Sequence, residues 1–275
     1  MSHGVSRNAA LWRGFVVSIA ALFVLTSPAF AAEEQQSTSP SAHAAQPSAP
    51  PPDFFLGRPH ASISARASWF MPSAGSDFYE QVTHDLTLEK KDFNSGSFAF
   101  EGGVNLSSHL DITFGVDLYR MNQGSEDRDQ LELLPNGTRV PIKQKTALRQ
   151  TNLTASAKFL LVPKGHAISR LAWIPNALVP YVGVGGGMSR YSLTQSGDFV
   201  DFVDNHIFTD TFQSDGWAPT VHVFAGTDIQ MYQRLLLTLE GRYSWSHADL
   251  GADFISFEPL DLGGLRFGAG VQFLF

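Results

Sequence analysis

Apolar and polar residues alternate with a period of two along many stretches of this chain. The stretch 110–118, LDITFGVDL, places large apolar residues at every second position and aspartate, threonine or glycine between them. Successive side chains of a β-strand point to opposite faces of the sheet, so this pattern predicts a strand with one oily face and one polar face. Stretches of this kind predict eight strands, at 61–70, 98–106, 110–118, 152–160, 181–191, 220–229, 235–245 and 264–275.

The lengths of these stretches and of the connections between them indicate how the strands are arranged. Each stretch is close to the roughly 9–11 residues with which a tilted strand crosses a bilayer. Short connections follow the second and sixth stretches, at 107–109 and 230–234, whereas long ones follow the first, third, fifth and seventh. This layout predicts an all-β fold, an eight-stranded antiparallel transmembrane β-barrel of up-and-down topology with long extracellular loops. A soluble antiparallel sandwich is the alternative, because its strands alternate as well.

The last strand and a glycine-rich strand carry a family resemblance. The chain ends in VQFLF, with apolar residues at every second position before it, and residues 180–187 read PYVGVGGG. Over residues 54–275 these features resemble small bacterial outer-membrane barrels, the group around OmpA and OmpW, although no peptidoglycan-binding domain follows the barrel. The resemblance implies that the last strand is an insertion signal read by the barrel-assembly machinery. The residues of this implied signal are Phe267, Val271, Phe273 and Phe275.

The beginning of the chain predicts export. Two arginines precede the apolar run 15–25, which is too short for a spanning helix of roughly 20 residues, and an A-x-A motif ends at Ala31. We therefore interpret residues 1–31 as a signal peptide cleaved after Ala31, with an uncleaved anchor as the alternative. Residues 32–53 are rich in Pro, Ser and Ala, which predicts an extended periplasmic linker and places both termini of the barrel in the periplasm.

Composition narrows the chemistry. The chain has 275 residues, no cysteine, a formal net charge of −7 and a pI near 5.7. The lack of cysteine excludes disulfides, thiolate metal sites and cysteine nucleophiles, and the acidic balance argues against a nucleic-acid partner. Asp198, Asp201 and Asp204 are spaced by three, which differs from an EF-hand, so a solvated acidic loop is favoured over weak calcium binding. No cofactor and no metal are expected.

The polar faces of the predicted strands bring charged side chains into the barrel interior. An eight-stranded barrel is just wide enough for its own side chains, and charges removed from water lose hydration unless they pair. The sequence therefore favours a salt-bridged plug over an ion pathway, which is the alternative because ionisable residues inside membranes often mark one. The predicted network contains Arg66, Glu101, Asp117, Lys158, Glu240, Arg242 and Arg266, with Asp111 and Asp228 nearer the periplasmic ends.

Two motifs raise the question of nucleotide binding or catalysis. No Lys-Ser or Lys-Thr follows GVGGG, so we interpret Gly183, Gly185 and Gly187 as inward positions that make room for a large side chain from across the lumen. Ser246 and His247 are adjacent and point to opposite faces of a strand, so they do not form a nucleophile–base pair. The chain is predicted not to be an enzyme, and a lipid A acyl hydrolase is the weaker alternative.

Aromatic residues are placed at strand ends and in two long loops. Trp69, Tyr181, Tyr243 and Trp245 predict aromatic girdles at the membrane interfaces. The segments DFVDF (198–202) and DFISF (253–257) are similar and lie in the third and fourth long loops. Disordered loops are poor in aromatic residues, so these segments predict an ordered cap or a capture site for a hydrophobic ligand. The predicted cap residues are Phe199, Phe202, Phe254 and Phe257.

These observations together favour a structural or surface-interaction role through the extracellular loops, without catalysis. A narrow, OmpW-like channel for small hydrophobic molecules is the alternative function. Outer-membrane lipids are expected to surround the barrel, and a small hydrophobic ligand or an extracellular protein is the expected partner of the loops.

Overall fold

Eight long strands form nearly all of the regular structure in the computed structural model, which describes residues 58–167, 173–201 and 206–275. The predicted signal peptide, its cleavage site and the linker lie outside the described residues. The strands are β1 (Ala61–Pro72), β2 (Ser95–Asn105), β3 (Leu110–Leu133), β4 (Arg139–Leu160), β5 (Leu178–Asp201), β6 (His206–Gln230), β7 (Leu235–Ala248) and β8 (Gly264–Leu274).

The strands close into a barrel. Each strand pairs antiparallel with the next one in the chain, and β8 returns to pair with β1, from Ser62 opposite Leu274 to Pro72 opposite Gly264. The carbonyl of Phe275 also accepts hydrogen bonds from backbone amides of the residues that begin β1, at 2.8 and 2.9 Å. A closed ring leaves no strand edge unpaired, which lipid requires because it supplies no hydrogen-bonding partner. The predicted fold class, an eight-stranded up-and-down barrel, is confirmed.

The two faces of this sheet are the reverse of those of a soluble protein. Large apolar side chains cover the outside, and small, polar and charged ones fill the inside. On β3, for example, Phe114 is 60% exposed on the outer face while its neighbours Thr113 and Asp117 on the inner face are buried. Alternation produces this arrangement directly, because residues two apart share a face. Such an apolar outer belt is the lipid-facing surface of a transmembrane barrel.

The two ends of the barrel differ. At one end the connections are short, 106–109 and 231–234, and the connection 161–177 carries a small hairpin of Gly165–Ala167 and Trp173–Pro175. At the other end β3–β4 and β5–β6 continue far beyond the predicted strand ends, with pairing up to Leu133 opposite Arg139 and Asp201 opposite His206. We refer to the second as the loop end.

The second and third long connections are therefore extended β-hairpins that continue beyond the strands predicted from the sequence pattern. Beyond Arg120, the outward positions of β3 carry Asn122, Gly124 and Glu126, which are exposed and polar. The strand pairing continues there, with a register shift after Glu126. The alternation that identifies a lipid-facing strand disappears where the strand leaves the apolar belt, so the pattern marked only the part of each strand inside that belt.

The first and fourth long connections fold differently. Between β1 and β2 lie an α-helix, α1 (Asp77–Asp85), and a 3₁₀ helix at Lys90–Phe93. Between β7 and β8 lie a 3₁₀ helix at Ala252–Phe254 and a two-residue strand, Leu260–Asp261, that pairs with β7. None of the helices within the described ranges is long and apolar enough to cross a membrane.

Candidate functional site

The middle of the barrel is filled by a four-membered ionic network. Arg66 contacts Glu101 at 2.8 Å and Glu240 at 3.2 Å, and Arg242 contacts the same two carboxylates at 2.7 and 2.9 Å. Three of these side chains are less than 10% exposed, and Glu101 is 15% exposed. The hydroxyl of Tyr181 donates a further hydrogen bond to Glu240 at 3.0 Å. Each arginine bridges both carboxylates, so the four charges neutralise one another across the lumen.

A second set of ion pairs lies nearer the short-connection end. Lys158 donates to Asp228 at 2.8 Å, while Thr238 donates to the other oxygen of the same carboxylate at 2.9 Å. Lys164 lies 2.5 Å from Asp111 and is nearly fully buried. Burial lowers the pKa of Lys164, and the charge of Asp111 opposes this effect. Lys164 belongs to the connection after β4, where the strand pattern gave no reason to look for a lumen residue.

The network changes character toward the loop end. Arg266 lies 3.4 Å from Asp117 and donates to the hydroxyl of Ser244 at 3.0 Å. The guanidinium carbon of Arg266 also lies 3.7 Å from the centroid of the Phe70 ring, a cation–π contact. The Arg266–Asp117 pair, which is nearest the loop end, is therefore in direct contact with the aromatic ring of Phe70.

The structure thus brings all seven predicted interior charges into the lumen. In place of one continuous network it groups them into separate clusters, and Lys158 pairs with Asp228, away from the four central charges. Among the described residues the ion-paired side chains of the lumen are five cations and five carboxylates. They are Arg66, Lys158, Lys164, Arg242, Arg266, Glu101, Asp111, Asp117, Asp228 and Glu240.

Little space remains between these side chains. One cavity beside Arg66 and Tyr181 and another beside Asp117 and Arg242 each have a volume of about 10 Å³. A cavity of this size has room for about one water molecule. The lumen is therefore packed, with no space for a substrate between the strands at these levels.

Close packing in the lumen also explains one of the inward glycines. A Cβ at Gly183 would lie 2.1 Å from the ring of Phe224, which is directly opposite it on β6. The large neighbour is thus on the adjacent strand, and the prediction of one from across the lumen is wrong. Tyr181 is also inside the barrel and 1% exposed, so its predicted place in a girdle is wrong, whereas Trp69 and Trp245 do face outward.

The loop end is closed by an apolar cap. Phe78 of α1 is its centre, with ring centroids 5.8 Å from Phe254 and 5.7 Å from Phe257 of the fourth loop. The ring centroid of Phe254 lies 6.3 Å from that of Phe212, which lies 4.7 Å from that of Phe199. Phe199 and Phe212 are both on the β5–β6 hairpin. Buried side chains around this centre include Phe70, Tyr79, Val82, Leu86, Leu88, Phe93, Tyr119, Met121, Leu148, Tyr191, Leu193, Leu260 and Leu262.

Tyr79 anchors α1 to the fourth loop. Its hydroxyl donates to the carbonyl oxygen of Asp261 at 3.1 Å, and its ring lies 4.9 Å from that of Phe93. Burial raises the pKa of Tyr79 well above its ordinary value, and Tyr119 and Asp261 add to the effect. The hydroxyl therefore stays protonated and keeps its role as a donor.

The sequence prediction of a cap named the third and fourth loops but missed α1. The structure places Phe199, Phe254 and Phe257 around α1, and Phe202 lies outside the described residues. A signal for α1 was present. The segment SDFYEQVTHDL has apolar residues at helical spacing after a serine and an aspartate, which favours a short amphipathic helix.

An open cavity of about 230 Å³ lies in the surface of the cap, between α1, the two extended hairpins and the fourth loop. Polar side chains such as Gln81, Asp127 and Gln144 also line it. Apolar walls with a few polar groups are typical of small-molecule sites. The apolar lining residues are Phe78, Val82, Leu86, Ile142, Phe199, Val200, Phe212, Phe254 and Phe257.

Two other candidate chemistries have little structural support. Ser156 and His222 form a buried hydrogen bond of 2.9 Å that sequence reasoning missed, but the adjoining cavity of about 10 Å³ is too small for an acyl chain. Of the three aspartates of the predicted acidic loop, Asp198 accepts a hydrogen bond from Thr209 at 2.7 Å, and Asp204 lies outside the described residues. In the part of the chain that the structure describes, no group of three or more histidines and carboxylates is placed to hold a metal ion.

Three residues of the implied insertion signal, Phe267, Val271 and Phe273, lie on β8 on the outside of the barrel, and Phe275 follows the strand. Phe267 is 54% exposed, and Val271 and Phe273 are exposed as well. The ring of Phe273 stacks on that of Phe275 with a centroid distance of 6.5 Å. These side chains form an apolar stripe on the strand that closes the ring.

Comparison with known proteins adds similar solved structures. No family model and no curated protein matches the sequence. The outer-membrane protein OprG of Pseudomonas aeruginosa is similar at 10% identity and a TM-score of 0.44, over 81% of this chain and 99% of that one. Neisserial surface protein A is similar at 14% identity and a TM-score of 0.40, over 78% of this chain and 96% of that one. The N-terminal β-barrel domain of Pseudomonas aeruginosa OprF is similar at 13% identity and a TM-score of 0.37, over 80% of this chain and 99% of that one.

Proposed function

We propose that this protein is a non-conducting outer-membrane barrel that presents an ordered surface for interaction at its loop end. The loop end faces the exterior, and the short connections and both termini of the barrel face the periplasm. Residues 1–31 direct export and are removed near Ala31, and residues 32–53 form an extended linker in the periplasm. No catalytic role is assigned.

The observation that supports this proposal is the double closure of the lumen. Ion pairs fill the middle of the barrel and leave cavities of only about 10 Å³, and an apolar cap with α1 at its centre covers the loop end. A conducting pore needs a continuous aqueous path, which these two layers interrupt. The extended hairpins and the fourth loop then provide a rigid, partly apolar surface of the kind that binds partners.

Conductance in planar lipid bilayers tests the proposal, with the plug and the cap altered separately and together. The plug variant replaces Arg66 and Glu101 by serine, which leaves the net charge unchanged, and the cap variant deletes residues 76–93. We expect no single-channel steps from the wild type or the cap variant, and steps from the combined variant. Regular steps from the wild type would overturn the proposal.

Insertion of the barrel is proposed to depend on its last strand. Deleting Phe275 should leave export intact and block insertion, because the apolar stripe Phe267, Val271 and Phe273 would lose its terminal aromatic residue. The measurement is the amount of heat-resistant barrel in the outer-membrane fraction, with Phe275→Tyr as the matched control. A normal amount of barrel in the deletion variant would contradict the proposal.

Capture of small hydrophobic molecules is a second candidate function, favoured by the cavity of about 230 Å³ in the cap. Indole in calorimetric titrations against barrels in nanodiscs is a suitable probe, with empty nanodiscs as the blank. Phe212→Ser alters the apolar lining, and Ile255→Ser changes an exposed residue of the neighbouring loop. Equal indole binding by both variants would exclude this cavity as the site.

A further inference from the structure

Four exposed cationic side chains lie on the outer wall of the barrel just beyond the apolar belt. Arg120 follows the lipid-facing Leu118 on β3, and Arg190 follows the lipid-facing Met188 on β5. Both arginines are two residues beyond these apolar positions, so they are on the same outward face. On the intervening strand β4 the outward positions are Lys145 and Arg149. We call Arg120, Lys145, Arg149 and Arg190 the basic patch.

The strand register brings three of these cations close together, while Lys145 lies four residues further along β4, opposite Gly124. Arg120 is directly opposite Arg149, and Arg190 is opposite Thr151, one diagonal step from Arg149. Residues directly opposite on antiparallel strands have Cβ atoms about 5 Å apart, and like charges at such positions destabilise the sheet. A nearby anion would relieve this repulsion.

The described part of the protein does not supply that anion. Lys143, the next outward position of β4 beyond Lys145, pairs with Glu126 at 3.7 Å, but among the described residues no carboxylate lies within 4.0 Å of the four patch residues. Asp215 on β6 also faces outward, opposite Ser192 and one diagonal step from Arg190, but the two side chains are not within the 4.0 Å of an ion pair. Arg190 instead lies 5.9 Å from the ring of Trp217, which is half exposed at the edge of the apolar belt.

We infer that the basic patch binds the phosphate groups of a phosphorylated glycolipid in the outer leaflet. This inference rests on the proposed orientation, in which the loop end faces the exterior. The planar fork of a guanidinium matches the oxygens of a phosphate, and two facing arginines can share one group. The belt below the patch, with Leu118, Met188 and Trp217, then contacts the acyl chains of the same lipid. A membrane lipid fits this combination better than a free ion, because apolar and cationic surfaces adjoin at the level of the headgroups.

The test measures the unfolding midpoint of the mature barrel in a neutral detergent as lipid is added. The added lipid is hexa-acylated lipid A with two phosphates, and the comparison lipid is the same glycolipid without phosphate. We expect the phosphorylated form to raise the midpoint, and the rise to shrink as salt is increased because the contact is ionic. The variant Arg120→Gln with Arg149→Gln should lose most of the rise.

The matched control removes the same charge elsewhere. Lys90→Gln with Arg139→Gln changes two exposed cations away from the patch, one in the first loop and one at the tip of the β3–β4 hairpin, and this variant should keep the full rise. If Arg120→Gln with Arg149→Gln does not fold, Arg190→Gln and the salt dependence of the wild type provide the same test.

Three outcomes would overturn the inference. An equal rise with the phosphate-free glycolipid would show that only the apolar belt binds lipid. An equal rise with inorganic phosphate would identify a site for free anions. A rise that is unchanged in the patch variants would place the lipid at another site, whatever the control shows. None of these outcomes bears on whether the lumen conducts, so the proposed function is tested separately.

Discussion

The middle of the lumen and the cap at the loop end are both closed, but by opposite chemistry. In the middle, inward positions carry Arg66, Glu101, Glu240 and Arg242, which neutralise one another. At the loop end, inward positions carry Phe70, Tyr119, Met121, Leu148 and Leu193, which join loop residues in an apolar cluster.

The difference reflects the surroundings of each region. Within the bilayer, the outer face of the sheet meets lipid, so a polar interior is stable only if its charges pair inside the narrow lumen. At the loop end the surroundings are water, and burying apolar side chains under the loops is favourable, as in a soluble protein. The same eight strands therefore support an ionic plug at one level and a small hydrophobic core at another.

The largest effect is expected from removing one carboxylate of the plug. Glu240→Leu leaves Arg66 and Arg242 with Glu101 alone and removes the acceptor of Tyr181. Breaking a buried ion pair costs about 3–5 kcal/mol, so the unfolding midpoint of the whole barrel in urea and detergent should fall.

An exposed ion pair provides the control for this variant. Glu126→Leu breaks the contact with Lys143, and exposed pairs contribute at most about 1 kcal/mol. Equal midpoints for Glu240→Leu and Glu126→Leu would mean that the lumen charges are hydrated independently and do not form a plug.

A smaller and local effect is expected in the cap. Phe78→Ala removes the ring at its centre, and the loss should be about 3 kcal/mol, at the lower end for buried phenylalanines because loops relax. Trypsin should then cut faster after Lys90 and Lys91 in the same loop, while the barrel keeps its heat-resistant mobility on gels. Ile255→Ala, at a residue 86% exposed, is the control. Unfolding of the barrel by Phe78→Ala would show that cap and plug are one cooperative unit.

Adding a side-chain carbon to the packed lumen should lower the free energy of unfolding by an amount between the effects in the cap and the pH effect described below. Gly183→Ala places a Cβ within 2.1 Å of the Phe224 ring, and overpacking of this kind costs about 1–3 kcal/mol. Adding Phe224→Leu should restore part of the unfolding midpoint. The control is Gly102→Ala, where nothing lies within 4 Å of the added Cβ. A neutral effect of Gly183→Ala alone would show that the lumen is loosely packed.

The smallest effect is a pH dependence confined to the cap. The folded-state pKa of Tyr79 is raised above its unfolded value of about 10, so its contribution is complete below pH 10 and is lost as the pH rises through the folded value. Tyr79→Phe should cost about 1 kcal/mol at pH 7 and remove this sensitivity. The measurement is the ratio of chymotryptic cutting rates in the cap, wild type over variant, which should increase above pH 10. A constant ratio would contradict the prediction.

The sequence by itself determined the lipid-facing barrel. Strict alternation over runs such as 110–118 and 264–275 identified the strands and their faces, because lipid outside and a narrow lumen inside constrain every residue there. It also identified which charges face inward, since position along a strand determines its face. The helical spacing of Phe78, Tyr79 and Val82 also indicates α1 from the local sequence. The helix was not predicted because the whole segment between the first two strands was interpreted as a loop.

Only the tertiary structure decided which groups meet. The pairing of Lys158 with Asp228 depends on residues 70 positions apart, and Lys164 reaches the lumen from a connection. The contact of Phe78 with Phe257 joins the first loop to the fourth. Such contacts follow from barrel closure and strand register, which bring distant segments to one level. Alternation determines the face of each residue, but the three-dimensional closure of the sheet determines its partner.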